Sequence, residues 1–187
     1  MRAFLFLVVA CFAASCSARV VNVRLAPPQI ALTDEVLVRD RRADPQVYMT
    51  AIGIGSTPVL IHLLAPNPPL EISLRRFIQS RTPRFAAMLV SIERLDLKNR
   101  VGFAKADELS CELESSVTTP SRPDGILVRT FSKNGLNMSP LVSTAARVIL
   151  QQCLEQHAKE VVERLSVSEE ARTRPEPSLA HPNVSER

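Results

Sequence analysis

VGFAKADELSCELESSV, residues 101–117, alternates with a period of two. Val101, Phe103, Leu109, Cys111, Leu113 and Val117 fall on one side, and Glu108, Ser110, Glu112 and Glu114 on the other. Side chains of a strand point to opposite faces in turn, so this pattern predicts a long strand of an antiparallel sheet with one dry and one wet face. A face of that kind must be covered, and the rest of the chain is read for what covers it.

Upstream, Arg84 to Leu97 reads as a strand and Lys98-Asn99-Arg100 as the turn that follows it. Downstream, Thr119 to Gly125 (TPSRPDG) carries turn residues at almost every position, and Ile126 to Phe131 returns as a strand. Glu35 to Arg39 (EVLVR) is a further strand, closed by the charged turn Asp40 to Pro45. Residues 46–61 read as a long connection that includes at most a short strand. Leu70, Leu74, Phe77 and Ile78 share one face at helical spacing, and the helix stops before Thr82-Pro83. A second helix opens at Ser139-Pro140 and carries Val142, Ala146, Ile149, Cys153 and Leu154, then Val161, Val162 and Leu165, on one stripe. The expected fold class is α+β: a two-layer domain with a mainly antiparallel sheet of about four strands covered by two helices, in the order strand-helix-strand-strand-strand-helix.

The N-terminus has a different character. Met1-Arg2 is followed by Ala3 to Ala14 (AFLFLVVACFAA), an uncharged run too short to span a bilayer and typical of a removable secretory signal. Ala13-Ala14-Ser15-Cys16 resembles the bacterial lipobox, which predicts cleavage before Cys16 and acylation of Cys16 by palmitate-type chains. The alternative is ordinary secretory cleavage after Ala18, which leaves a soluble periplasmic protein. Ser17, rather than Asp, follows the cysteine, which by resemblance to bacterial sorting patterns points to the outer membrane, facing the periplasm. The expected organisation is a signal peptide over 1–15 (or to 18), a lipid-anchor spacer over 16–33, an α+β domain over 34–165 and a disordered tail over 166–187. The Pro27-Pro28 pair gives the spacer an extended course, although Val20-Val21-Asn22-Val23 also has the composition of an edge strand. The tail is polar, with Pro175, Pro177 and Pro182.

Composition narrows the function classes. Apolar residues make up 45% of the chain, enough for a core, but aromatics only 4%, with no Trp, which disfavours stacking on bases or sugars. The net charge of +4 is spread without a dense basic stripe, so nucleic acid is not an expected partner. Cys111 and Cys153 point into the same layer between sheet and helix, and in an oxidising compartment they are a candidate disulfide beside the alternative of two buried thiols.

No catalytic residue, cofactor or metal site is expected. Gly53-Ile54-Gly55 lacks the third glycine of a nucleotide loop, and Gly55-Ser56 lacks a nucleophile elbow. His62, His157 and His181 show no clear zinc-ligand pattern. Asp40-Arg41-Arg42 is the candidate partner-binding motif, since arginine pairs bidentately with acidic or phosphate groups; the alternative is a strand-end turn with solvated side chains. Arg75, Arg76, Arg81 and Arg84 read as the solvated side of the first helix; the alternative is a basic face for lipid headgroups.

Val36-Leu37-Val38-Arg39-Asp40-Arg41-Arg42, followed by Ile52-Gly53, resembles the start of the YajG-like bacterial lipoproteins. The later order is similar too: a helix, a strand over Leu89 to Leu95, and a long strand opening Gly102-Phe103-Ala104-Lys105-Ala106. A strand ending Thr130-Phe131 and a C-terminal helix complete the likeness, which covers residues 20 to 165. It implies an envelope lipoprotein and no established reaction. The signal, the anchor cysteine and the lack of a catalytic motif lead to the expectation of a non-enzymatic protein held at a membrane by Cys16 and acting through an envelope protein partner; the alternative is a small-molecule or lipid-binding module of the periplasm, and a hydrolase comes third.

Overall fold

The computed structural model describes residues 19–52, 58–81, 87–100, 108–135 and 142–173. They form seven strands and two helices: β1 (Arg19–Arg24), β2 (Val36–Asp40), β3 (Val47–Ile52), β4 (Pro58–Asn67), α1 (Leu70–Arg81), β5 (Met88–Arg100), β6 (Glu108–Thr119), β7 (Arg122–Gly135) and α2 (Val142–Thr173). The strands make one sheet in the order β1-β4-β3-β5-β6-β7, with β2 also paired to β5.

The expectation of about four mainly antiparallel strands is therefore corrected to a mixed, seven-stranded sheet. Strands β5, β6 and β7 are antiparallel neighbours, but β1–β4, β2–β5 and β3–β5 are parallel pairs. The added strands come from the stretches read as a lead and a connection. Prolines hid β4: Pro66 lacks an N–H, and it lies beyond the last β3–β4 pair, Val47↔Leu64, where no ladder bond to β3 is required. Among the described residues strand β1 has β4 as its one strand partner, sequence-distant and parallel, and β5 runs on through Lys98-Asn99-Arg100 because β6 pairs with it as far as Arg100↔Glu108.

Strands β2 and β3 share one edge of β5. Val36–Asp40 pairs with Met88–Ile92, and Met49–Ile52 pairs with Leu97–Arg100. The turn of residues 41–46 interrupts this edge, and on its other edge β5 shifts register against β6 between Ile92 and Arg94.

The helices cover one face of the sheet. Leu70, Leu74, Phe77 and Ile78 of α1 are buried at the predicted spacing, with Glu71 in the first turn and Arg81 in the last, as the helix dipole favours. Helix α2 packs on β6, β7, β1 and α1 through Ile149, Leu150, Leu154 and Val161. It remains helical to Thr173, past the end of its apolar stripe at Leu165. Strand β6 alternates as the sequence predicts, with Leu109, Cys111, Leu113, Ser115 and Val117 buried. Gly125 lies inside β7, where the β6–β7 register shifts between Val117 and Thr119; it takes φ 72°, and an added Cβ there would meet Thr118 Cγ2 at 3.0 Å. Residues 19–24, inside the stretch read as a spacer, belong to the sheet, and Val23 is fully buried.

Candidate interaction site

The Asp40-Arg41-Arg42 motif sits where the β2–β3 edge breaks. Arg42 folds back on Asp40: its Nε donates to Oδ1 at 2.9 Å and its Nη2 to Oδ2 at 2.6 Å. The same guanidinium donates to the carbonyls of Pro45 (2.6 Å) and Gln46 (3.1 Å), so one side chain holds both ends of the turn. Arg42 is 7% and Asp40 12% exposed at the side chain. A paired, half-buried ion of this kind is a structural staple rather than a recognition fork. Arg41 differs: its N–H donates to Ile92 O at 2.9 Å, extending the β2–β5 ladder by one bond, while the residue itself is exposed.

Beside this staple lies a groove of about 460 Å³ between the turn, the end of β4 and the start of α1. Its walls include Val20, Leu63, Pro66 and Leu70, and its polar side carries Asp40, Gln46 and Glu71. Both Asp40 oxygens are taken by Arg42, whereas Glu71 uses Oε1 to accept from the Asp40 N–H at 2.9 Å. The groove therefore presents an apolar floor and one carboxylate at a helix start, within the size range of small-molecule sites.

A second polar cluster is sealed inside. His157, in the middle of α2, is fully buried, with Nε2 at 2.7 Å from Ser115 Oγ and Nδ1 at 2.8 Å from Thr130 Oγ1. Thr130 donates its hydroxyl hydrogen to Glu160 Oε2 at 2.8 Å. That fixes the rest of the chain: His157 Nδ1–H donates to Thr130, and Ser115 O–H donates to Nε2. Gln156 donates to the other Glu160 oxygen (3.2 Å) and accepts from Ser132 (2.8 Å). Burial lowers the His157 pKa from its ordinary 6.5 to about 4, so the imidazole is neutral at physiological pH.

The polarity from serine to histidine matches that of a hydrolytic relay, but among the described residues Ser115 and His157 are both fully buried, in the layer between α2 and the sheet. One turn before His157, Cys153 is bonded to Cys111, with the two Cα atoms 6.1 Å apart. The disulfide and the relay together fasten α2 to β6 and β7.

The structure thus brings Asp40 and Arg42 together, bonds Cys111 to Cys153, and leaves Cys16 outside the described residues. Glu108 and Glu114 lie on the wet face paired with Lys133 and Arg129, and Glu112 approaches Arg94. Arg75 is turned onto the Thr33 carbonyl and Asp34. Sequence reasoning missed the groove and the His157 relay. The relay had a signal: Thr130, Ser132 and Asn134 alternate in β7, and Gln152, Gln156 and Glu160 recur every fourth residue in α2. Two residues of strand and four of helix both advance by about 6–7 Å, so these two polar rows run in register.

No family model matches the chain, and no curated protein does. Solved structures similar to it include one of an uncharacterised protein, at 11% identity over 80% of this chain and 99% of that one, with a TM-score of 0.45. A second is a Xanthomonas campestris protein of the family DUF330, at 13% identity over 81% and 99%, with a TM-score of 0.41. A third is a minor lipoprotein from Acinetobacter baumannii, at 7% identity over 74% and 96%, with a TM-score of 0.37.

Proposed function

We propose that this chain is a membrane-anchored envelope lipoprotein of the YajG-like kind, acylated at Cys16 on the periplasmic face of the outer membrane. It works through contacts with other envelope proteins and has no catalytic role. The observation that carries this reading is the join between signal and fold. The sheet begins at Arg19, three residues after Cys16, and Val20 already lines the groove. Four residues reach about 13 Å at most, so an acyl anchor at Cys16 holds the β1 edge and the groove mouth close to the lipid headgroups. The sealing of the Ser115–His157 pair supports a non-catalytic role. Among the described residues no helix is long and apolar enough to cross a membrane.

Cys16→Ser tests the anchor. The variant is expected to lose labelling by a palmitate analogue and to move from the membrane to the soluble envelope fraction. Membrane association that survives the substitution refutes it.

The groove favours a second reading, a module that binds a small amphipathic molecule or lipid in the periplasm. Its apolar walls and the single Glu71 carboxylate suit an apolar body with a hydrogen-bond donor or cation at one end. An amphiphile retained by the purified protein in native mass spectrometry marks this reading; ligand-free protein marks the first.

A further inference from the structure

We infer that the free edge of β7 is a strand-addition site for an extended segment of a partner protein, one that alternates acidic and apolar residues. This gives a place to the contact-based function proposed above, and it stands or falls separately from the Cys16 anchor.

Strand β7 is 14 residues long, lies at the end of the sheet order, and among the described residues has β6 as its one strand partner. In a strand, residues that share a face also share the lateral direction of their N–H and C=O groups. The Met88 N–H bonds Glu35 O and the Arg41 N–H bonds Ile92 O, so Met88 and Ile92 turn to β2, Ser91 turns to its partner Ser116 on β6, and the neighbouring Ser115 turns to Val128 on β7. Arg164 of α2 donates to the Leu127 carbonyl at 3.3 Å. Leu127, Arg129, Phe131 and Lys133 therefore turn their backbone groups to the open edge, while Val128, Thr130 and Ser132 serve β6. A row of open backbone groups templates another strand.

The side chains of the same four residues set the partner's chemistry. All four stand on the wet face, and Leu127 and Phe131 are 46% and 53% exposed. Arg129 uses Nε for Glu114 and remains 64% exposed at the side chain; Lys133 binds Glu108 at 2.7 Å, is 54% exposed, and lies over the Phe131 ring. The row reads apolar, cationic, apolar, cationic. Directly opposed cross-strand residues interact most strongly, so the complementary strand carries apolar, acidic, apolar, acidic residues at every second position. A second copy of β7 is a poor occupant: antiparallel self-pairing brings two arginines and two lysines onto one small face, with Arg164 of each copy at the edge.

The test uses the detergent-purified, isotope-labelled full chain and a nine-residue probe peptide, Thr-Val-Thr-Glu-Thr-Val-Thr-Glu-Thr, at about 1 mM, a concentration suited to weak binding. Amide exchange at Leu127, Arg129, Phe131 and Lys133 is expected to slow by about tenfold or more, while exchange in β4 is unchanged. A probe N-methylated on its edge-facing amides is expected to give no protection, as is a probe with Lys in place of Glu. Arg129→Glu combined with Lys133→Glu is expected to exchange the preference, favouring the Lys probe. The inference is overturned by no protection from the Glu probe on the native chain, or by equal protection from the Glu and Lys probes. It is also overturned if these four amides are already protected without peptide in a concentration-dependent dimer, which assigns the edge to a second copy.

Discussion

His157 makes the stability of this protein depend on pH in a direction that its surroundings dictate. The imidazole is neutral in the fold, with a pKa of about 4 against its ordinary 6.5, because burial penalises the charged form. Above pH 6.5 neither the folded nor the unfolded chain holds the extra proton, and the full stability is present. As pH falls through 6.5 the unfolded chain takes up a proton that the folded chain refuses, and stability declines until about pH 4, where the folded state accepts it too. The difference of roughly 2.5 pH units corresponds to about 3 kcal/mol, an order-of-magnitude figure. For a domain of this size that is a fall in melting temperature of roughly 6–12 °C.

Carboxylates also titrate in the lower part of this window, so the measurement compares native protein with His157→Gln, by urea denaturation at intervals between pH 7.5 and 4. The variant is expected to be less stable at pH 7.5 by about 1–3 kcal/mol, since Ser115 and Thr130 lose a partner. It is expected to show a smaller loss on acidification than the native chain. If both lose stability in parallel, His157 does not carry the effect. A native chain that gains stability as pH falls refutes the reasoning more directly. In that case the Glu160 carboxylate, one hydroxyl away through Thr130, stabilises the imidazolium and outweighs its desolvation.

Two further substitutions probe the fastenings of the fold. Replacing Cys111 and Cys153 together by alanine releases a constraint spanning 42 residues, which loop entropy values at about 4 kcal/mol. Denaturation should register most of that, and two thiols alkylated in unfolded, unreduced native protein contradict the bond. Arg42→Ala leaves the half-buried Asp40 carboxylate and two turn carbonyls without their donor, at an expected cost of about 2–3 kcal/mol. Arg41→Ala is expected to stay within about 0.5 kcal/mol, and equal losses for the two variants contradict the staple.

Elements that announce themselves by local periodicity were legible in the sequence. The alternation of Leu109, Cys111 and Leu113 placed β6, and the spacing of Leu70, Leu74, Phe77 and Ile78 placed α1. Strand β1 was visible as the edge-strand composition of Val20-Val21-Asn22-Val23, though not its partner, because parallel pairing is a property of distant segments; the proline-flanked β4 has no simple alternation, and β3 was lost with it in the stretch read as a connection. Strand β7 misleads in another way. Its largest apolar residues, Leu127 and Phe131, are the exposed ones, while the face under α2 carries Thr130 and Ser132, buried because Gln156, His157 and Glu160 satisfy their hydroxyls. Ile126 and Val128 share the covered side with Thr130 and Ser132, so a binary apolar pattern finds two apolar residues on each face and cannot choose between the faces. The Asp40-Arg42 motif was visible as charge, but only the fold shows that Arg42 is spent on Asp40 and the turn while Arg41 stays outside.

The order of the sheet ties the two proposed ends of the molecule together. Strand β1, which follows Cys16, and β7, with its open row, are the first and last members of the order β1-β4-β3-β5-β6-β7. At the usual spacing of about 4.8 Å, five steps separate them by roughly 24 Å. On the proposal that Cys16 carries the lipid, the β1 edge and the groove lie nearest the membrane, and the β7 edge lies a sheet's width away from it. The disulfide and the His157 relay both lie between α2 and the β6–β7 side. They brace the strands that present the open edge. An edge meant to receive a partner strand binds more strongly when it is already rigid, because little order remains to be imposed at the moment of contact. The same bracing accounts for the burial of His157: its hydrogen bonds to Ser115 and Thr130 position β6 and β7 against α2.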